Sequence, residues 1–531
     1  MHLDLTQADA DIVRDADVCV VGSGAAGISA ARRLLERGRS VLLLESGGLD
    51  YEPETAALNA GENVGQPYYD LKDARLRFFG GTTAIWGGRI ASLDPIDFQH
   101  RPWIPHSGWP FGIEALNPYY AEARRCFGLV EPPLRIEAVA AAIGAPDLDP
   151  GRLALALWEF DGRLDRFTFR QCADLVNHPR CTVATHATVT EIGLAPGGVG
   201  VAELTARSLS GRRLTVRPRT VVLAAGGIET PRLMLASRSV RPAGVGNDRD
   251  LVGRYFMEHP HARGGRIAGG RPWSILRAFG RTHRVGGRKA AALIRLADSL
   301  QARAGLLNTS LTIGARQPVE ARQFWGMRAY AGLKHEMSPT RGGRAMWITA
   351  KRVASWTQRQ VDPLRPWLLQ KAGQLEVALV VRAEQAPNPD SRITLSTDRD
   401  RLGMPRPVLD WRLNGLDVAS VKGLVSALGD EFARLGYGRV EPAAWLDDTR
   451  GAWRTDPLIS VHPLAGYHHM GATRMADDPA KGVVDGYGRV HGVANLHVVG
   501  SSVFPTSGWA NPTLTIVALA LRTADRVAGA S

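Results

Sequence analysis

Cysteine is scarce in this chain. Cys19, Cys126, Cys172 and Cys181 are the four in 531 residues, and no two of them stand in C-x-x-C spacing. A set this sparse excludes a disulfide framework and a zinc site, and reads as packing residues in a reducing compartment. Long apolar runs are missing too: no stretch of about 18 apolar residues occurs, so no transmembrane helix is expected. Met1 to Asp15 carries acids and no hydrophobic leader core, which makes the expected localisation cytoplasmic. There is no internal repeat and no low-complexity tract. Acids are the minority charge, 52 Asp and Glu against 65 Lys and Arg, for a formal net charge of +13. Part of the excess is local. From Arg322 to Lys371, ten Lys/Arg stand against Glu336 and Asp362, with Trp325, Trp347, Trp356 and Trp367 interleaved. A solvated helical face with core tryptophans is the favoured reading. A basic aromatic surface for an anionic glycan or a membrane is the other, and it leaves room for peripheral membrane contact. No motif supports a nucleic-acid partner.

What is present is ordinary globular composition, 44% hydrophobic and 22% charged, with length for two or more domains. The most informative stretch runs from Asp17 to Glu45. Val18 to Val21 is a short β-branched apolar run, a buried strand. Gly22, Gly24 and Gly27 form a G-x-G-x-x-G turn directly after it, and Ile28 to Gly38 reads as a helix stopped by its glycine. Ser40 to Leu44 is a second strand, ended by Glu45. Gly22 permits the tight turn, Gly24 lets the backbone approach a pyrophosphate, and Gly27 lets helix and strand pack closely. The helix start, Ala25 and Ala26, then offers free N–H groups to phosphate. Glu45, 18 residues past Gly27, is placed to accept hydrogen bonds from an adenosine ribose. The motif alone does not separate NAD from FAD.

Further along, Ser46 to Lys72 is loop-like. Gly80-Gly81-Thr82-Thr83-Ala84-Ile85-Trp86-Gly87-Gly88 can wrap a backbone around a flat ligand, with hydroxyls aimed at its edge. Leu116 to Phe127 looks helical, and residues 130 to 180 carry few signals. Cys181 to Ile192 reads as a strand pair. Leu214 to Val216 and Thr220 to Ala224 read as two further strands, the second followed by Ala225-Gly226-Gly227 and a helix from Ile228 to Ala236. Residues from about 260 to 450 alternate, as in Leu375 to Arg382 and Ser391 to Ser396, and include a helix at Asp417 to Leu435. They read as an antiparallel sheet backed by helices. His462, His468 and His469 precede Gly471, a strand covers Leu496 to Val499, and Asn511-Pro512-Thr513 opens a last helix from Thr515 to Val527.

These motifs, in this order, resemble the glucose–methanol–choline (GMC) oxidoreductases, and within them the branch of pyranose oxidases and glycoside 3-oxidases. The resemblance implies an α/β fold. A Rossmann-like FAD-binding domain, of the GMC/p-hydroxybenzoate hydroxylase type, would span residues 1–257 and 456–531. An inserted α+β substrate domain on an antiparallel sheet would span 258–455. It implies non-covalent FAD, since Ile85 stands where some pyranose oxidases carry a linking histidine. Gly22, Gly24, Ala25, Ala26, Gly27, Glu45 and Ser46 would hold the pyrophosphate and ribose. Gly81, Thr82, Thr83, Ala84, Trp86, Gly87 and Gly88 would pass beside the flavin ring, and Val189, Ala225 and Gly226 would lie by the adenosine part. Gly500, Ser501, Asn511, Pro512 and Thr513 would line the ribityl chain and pyrimidine edge. His468 would be the catalytic base and Asn511 its partner, both facing substrate. Gln385 is a further candidate for holding sugar hydroxyls, and His462 reads as structural. The chain departs from the pattern at Trp86, where many members have asparagine, and at Gly500, where many have an acid. The implied reaction is oxidation of a secondary sugar or glycoside hydroxyl, with O2, a quinone or a redox protein taking the electrons. A non-sugar alcohol, or a surface-associated dehydrogenase subunit, is the alternative.

Overall fold

The strand ahead of the glycine turn is longer than its apolar end suggests. In this computed structural model, which describes residues 1–163, 165–321 and 340–529, it runs from Ile12 to Val21. Its first half is partly solvated and only Val18 to Val21 is buried, so only that half carries an apolar signal. It lies in a sheet of eight described strands, between Val41–Leu44 and Arg213–Leu223, both parallel to it. Cys181–Thr185 and His2–Asp4 extend one side in parallel, and Leu496–Val498 joins Arg213–Leu223 in parallel. Val201–Arg207 and Thr188–Leu194 add an antiparallel flap. The parallel strands are nearly all apolar because helices cover them. Ala25–Glu36 and the last helix, Thr513–Gly529, pack together there, tied by Arg37 Nε to Asp525 at 2.8 Å.

Two sequence readings change. Cys181–Thr185 and Thr188–Leu194 are both strands but not a pair; they lie towards opposite ends of the sheet. The two short strands read around Arg217 to Arg219 are one strand, Arg213–Leu223. Pro218 interrupts the apolar pattern there, but it falls in a gap. Val201–Arg207 pairs only as far as Val216, and Leu496–Val498 begins at Val221. A proline is tolerated where no strand neighbours that edge.

The second sheet, also of eight described strands, is antiparallel throughout. Its order is Arg439–Pro442, His261–Ala268, Glu376–Arg382, Ser310–Arg316, Arg288–Leu296, Leu153–Phe160 and Arg89–Ile90, with His283–Val285 beside Arg288–Leu296. The strand at Leu153–Phe160 comes from the stretch with few sequence signals. Alternation sorts the sheet's two faces. Leu311, Ile313, Val377, Leu379 and Val381 pack with Val421, Leu424 and Phe432 of the helix Gly415–Arg434. The opposite face carries Trp158, Gly314, Arg316, Ala378, Val380 and Arg382, and of these Arg316 and Arg382 line the cavity described below. The α/β class with an antiparallel-sheet substrate part is thus what the structure has. Arg392–Arg399, read with the large sheet, instead forms a three-stranded sheet with Pro405–Asp410 and Glu62–Asn63. No described helix is long and apolar enough to cross a membrane. Of the four interleaved tryptophans, Trp325 and the side chain of Trp347 lie outside the described residues. Trp367 packs edge-on against Trp273. Trp356 is 59% exposed, so at that position the core reading does not hold.

Candidate active site

The three fingerprint glycines do different work. Gly22 has φ +101°, and a Cβ there would lie 2.6 Å from the Ala224 carbonyl oxygen. A Cβ on Gly27 would lie 1.8 Å from the Gly22 carbonyl oxygen. Both are demanded by the chain's own packing. Gly24 faces open space, with nothing in the chain within 4 Å of a Cβ. It is the N-cap of the helix Ala25–Glu36, and no side chain bonds the cap. Donors at this helix start are therefore free for an anion, and the backbone is bare where a pyrophosphate would approach. This cradle fits FAD.

The cradle opens into a cavity of about 1010 Å³. Gly22, Gly24, Ala25, Ala26, Glu45, Ser46, Gly81, Thr82, Thr83, Trp86, Gly87, Val189, Ala225, Gly226, Gly500, Ser501, Asn511, Pro512 and Thr513 stand in its wall, as does Ile85, which offers no nucleophile for a covalent link. Gly27, Ala84 and Gly88 are buried behind the wall. Glu45 accepts from the Ser23 hydroxyl at 2.6 Å and from the Gly47 amide at 2.9 Å, which fixes its carboxylate with acceptor sites to spare. The threonine hydroxyls also bond within the loop. Thr82 Oγ1 accepts from the Leu76 amide at 3.1 Å and Thr83 Oγ1 donates to the Gly80 carbonyl. A loop this tight leaves backbone groups without ladder partners, and its own hydroxyls satisfy them.

Gln385 is not in the wall. It is fully buried, its Oε1 accepting from the Glu258 amide and the Trp411 indole at 2.9 Å each, and its Nε2 donating to the Arg412 carbonyl at 3.0 Å. With those bonds made it has little left for a sugar, and it serves to knit loops together. His462 does line the cavity, and its carbonyl accepts from His261 Nδ1 at 2.7 Å.

His468 sits in a row of three polar side chains. Two segments far apart in sequence are laid side by side by paired backbone bonds between Met257 and Met470, 2.9 Å in each direction. This brings His259 Nδ1 to 2.8 Å from His468 Nδ1. His468 Nε2 lies 3.1 Å from Asn511 Nδ2. Beneath them the buried Glu258 carboxylate accepts from the Tyr68 hydroxyl at 2.5 Å and from the amides of His259 and His468 at 2.7 Å each. Tyr68 also reaches His469 Nε2 at 2.9 Å, so His469 supports the network from behind. The sequence marks the Phe256–Pro260 turn as part of the family resemblance but assigns no role to His259, Glu258 or Tyr68. The one signal was the density of titratable residues in Glu258-His259-Pro260-His261.

The row defines its own tautomers. His259 Nε2 lies 2.8 Å from the Gly508 carbonyl, which only accepts, so Nε2 carries the hydrogen. Burial pushes the His259 pKa down to about 4, so the ring is neutral and its Nδ1 accepts. His468 must then donate from Nδ1, which leaves its Nε2 lone pair facing the Asn511 amide. His468 is itself held well below the usual histidine value, first by burial and then by the neighbouring His259, His261 and Arg382. The result is a neutral imidazole with a bare nitrogen at the cavity. Burial also lifts Glu258 to about 7, against the hydrogen bonds it accepts.

Known proteins resemble this chain in sequence and in fold. The family described as FAD dependent oxidoreductase matches residues 17–308, and that described as GMC oxidoreductase matches residues 387–520. The chain is 28% identical to paromamine 6'-oxidase of Streptomyces fradiae, over 97% of this chain and 91% of that protein. It is 25% identical to 2-methyl-1,2-propanediol dehydrogenase of Mycolicibacterium austroafricanum, over 96% and 95%. Among solved structures, pyridoxine 4-oxidase from Mesorbium loti shares the fold with a TM-score of 0.57 at 18% identity, covering 96% of this chain and 99% of that one. With the glycine cradle, the antiparallel second sheet and the C-terminal match together, the chain belongs to the FAD dependent oxidoreductases of the GMC type, enzymes that act on CH–OH groups.

Proposed function

We propose that the protein oxidises a secondary hydroxyl of a sugar or glycoside to a ketone, with His468 as the base. The observation that carries this reading is the pair His468–Asn511 in the wall of the cavity that the glycine cradle opens into, with His259 bonded to His468 from behind that wall. The substrate hydroxyl would lie on the cavity side of both His468 Nε2 and Asn511 Nδ2, replacing the Asn511 amide as the partner of Nε2. His468 removes the hydroxyl proton, and the Asn511 amide donates to the oxygen as it becomes negative. The carbinol carbon loses a hydride as the C=O bond forms; when bound, FAD supplies the acceptor for that hydride. Glu258 holds the His468 backbone so that the bare nitrogen keeps its direction. The sugar assignment is supported by the paromamine 6'-oxidase relative. The propanediol dehydrogenase relative favours a non-sugar alcohol as the second reading. The four free cysteines support a cytoplasmic site of action.

The test is anaerobic bleaching of the flavin by monosaccharides, glycosides and small diols, with the product read by NMR as ketone or aldehyde. The variant His468→Ala should keep FAD and lose about 10²- to 10⁴-fold in the rate of bleaching. Undiminished bleaching removes the base role, and bleaching by diols alone moves the assignment to the second reading. The rate at which colour returns in air separates O2 from a quinone or protein acceptor.

A further inference from the structure

Buried arginines in this chain are commonly neutralised. Arg232 meets Asp400 at 2.6 Å, Arg124 meets Glu159 at 2.7 Å, and Arg263 meets Asp456 at 2.5 Å. Three arginines in the cavity wall are treated differently. Arg89, Arg316 and Arg382 all line the cavity, and none has an ion pair among the described residues. Arg89 and Arg382 place their guanidinium carbons 4.9 and 5.1 Å from the centre of one ring, that of Trp158. The Nε atoms of both are buried without a hydrogen-bond partner. Among the described residues Arg382 Nη1 makes a single bond, to His261 Nε2 at 2.9 Å, and Arg316 bonds only carbonyls, those of Ile459 and Ala315. Burial and the nearby Arg89 and Arg316 push Arg382 down to about 9, a sign that like charges have been gathered without compensation.

The sheet explains how they converge. Trp158, Arg316 and Arg382 occupy the cavity face of three strands, where Gly314, Ala378 and Ala291 leave the space open. A Cβ on Gly87 would come within 2.8 Å of Arg89 Nη1, so that glycine makes room for the Arg89 side chain. Gathering guanidiniums in a half-dry wall is unfavourable unless an anion completes the set. The pyrophosphate end of FAD has its own seat at the helix start, whereas Arg382 stands close enough to lower the pKa of His468.

We propose that the substrate carries an oxyanion group, a carboxylate or a phosphate, which seats among Arg89, Arg316 and Arg382 while its hydroxyl faces His468. The reaction is that of the proposed function and rests on it: the substrate is an acidic sugar or glycoside, and its charge is the specificity element. Arginine suits the task because its planar fork pairs two oxygens at once, and a half-buried site strengthens the attraction.

The holoenzyme is given methyl glucuronide, glucose 6-phosphate, neutral methyl glucoside and glucosamine, and kcat/KM for flavin bleaching is compared. One of the two anions should exceed the neutral glucoside by roughly tenfold or more, with glucosamine poorest, and the advantage should shrink at high salt. Which anion leads tells carboxylate from phosphate. Arg89→Gln and Arg316→Gln should each collapse that ratio, and Arg89→Lys should restore part of it. Glucuronate or phosphate should also raise the Tm of the parent protein and not of the Gln variants, a readout independent of turnover. A neutral glucoside oxidised as well as both anions overturns the proposal and leaves hydroxyl oxidation standing. If no sugar bleaches the flavin, the sugar reading falls, and the Tm shift alone decides whether the anion seat exists.

Discussion

At the scale of the residue, the proposed base is prepared by its neighbours. A lone histidine in a buried wall has no preferred nitrogen. Here the Gly508 carbonyl defines the His259 tautomer and His259 defines that of His468. His259→Ala should therefore lower kcat at least roughly tenfold without changing FAD affinity, by freeing the His468 ring to place its hydrogen on the wrong nitrogen. His259→Asn, whose amide oxygen can accept the same hydrogen bond, should recover part of the loss. Equal rates in all three proteins would show that His259 is structural only. The depressed pKa of His468 has a second consequence. Its neutral, base-competent form persists below the ordinary value of 6.5. The acid limb of the kcat/KM profile should then lie below pH 6.5; a limb at or above that value would mean that another group is the base.

At the scale of the element, the strand–turn–helix unit separates what folds the chain from what binds the cofactor. A Cβ on Gly27 meets the Gly22 carbonyl at 1.8 Å, and one on Gly24 meets nothing in the protein. Gly27→Val should fail at folding, with loss of soluble protein or a large drop in Tm. Gly24→Ala should leave the apo-protein Tm unchanged, because the methyl group stands only where the pyrophosphate approaches. Its FAD affinity, measured by fluorescence quenching on titration, should fall by roughly tenfold or more. Unchanged affinity in Gly24→Ala would place the pyrophosphate elsewhere. This unit was legible in the sequence because its signals are local: four β-branched or apolar residues, three glycines at fixed offsets, a helix and an acid. The Leu153–Phe160 strand was not legible. All but Glu159 of its residues are apolar, so no alternation marks its two faces, and they are told apart only by a partner, Arg288–Leu296, that lies more than a hundred residues away.

At the scale of the whole molecule, the buried histidines govern the response to acid. His259, His469 and His497 have folded-state pKa values near 4, 3 and 4 against an ordinary 6.5, all lowered chiefly by burial. His261 and His468 are shifted in the same direction. Between pH 6.5 and those values the unfolded chain binds protons that the folded chain refuses, so stability is lost as pH falls. Glu258 and Asp417, both raised to about 7 by burial, act the other way, favouring the folded state at low pH and losing that contribution as pH rises through 7. Asp97, pushed well up chiefly by burial, acts with them, and five rings outweigh three fully buried carboxyls. The Tm of the holoenzyme should fall steadily from pH 6.5 towards pH 4.5, and a flat or rising Tm over that range would refute the balance.

The sequence by itself determined the cofactor cradle and the class of fold, because each is written in short local motifs, and its resemblance to a known family pointed to His468 and Asn511. Tertiary structure alone decided the rest. Gln385, polar and near the end of a strand, became an internal tie because other loops closed over it. His259 met His468 because backbone bonds between Met257 and Met470 joined segments two hundred residues apart. Arg89, Arg316 and Arg382 came to one wall because strands from three regions of the chain share a sheet face. Which charges end up uncompensated depends on distances through space, and spacing along the chain does not carry that information.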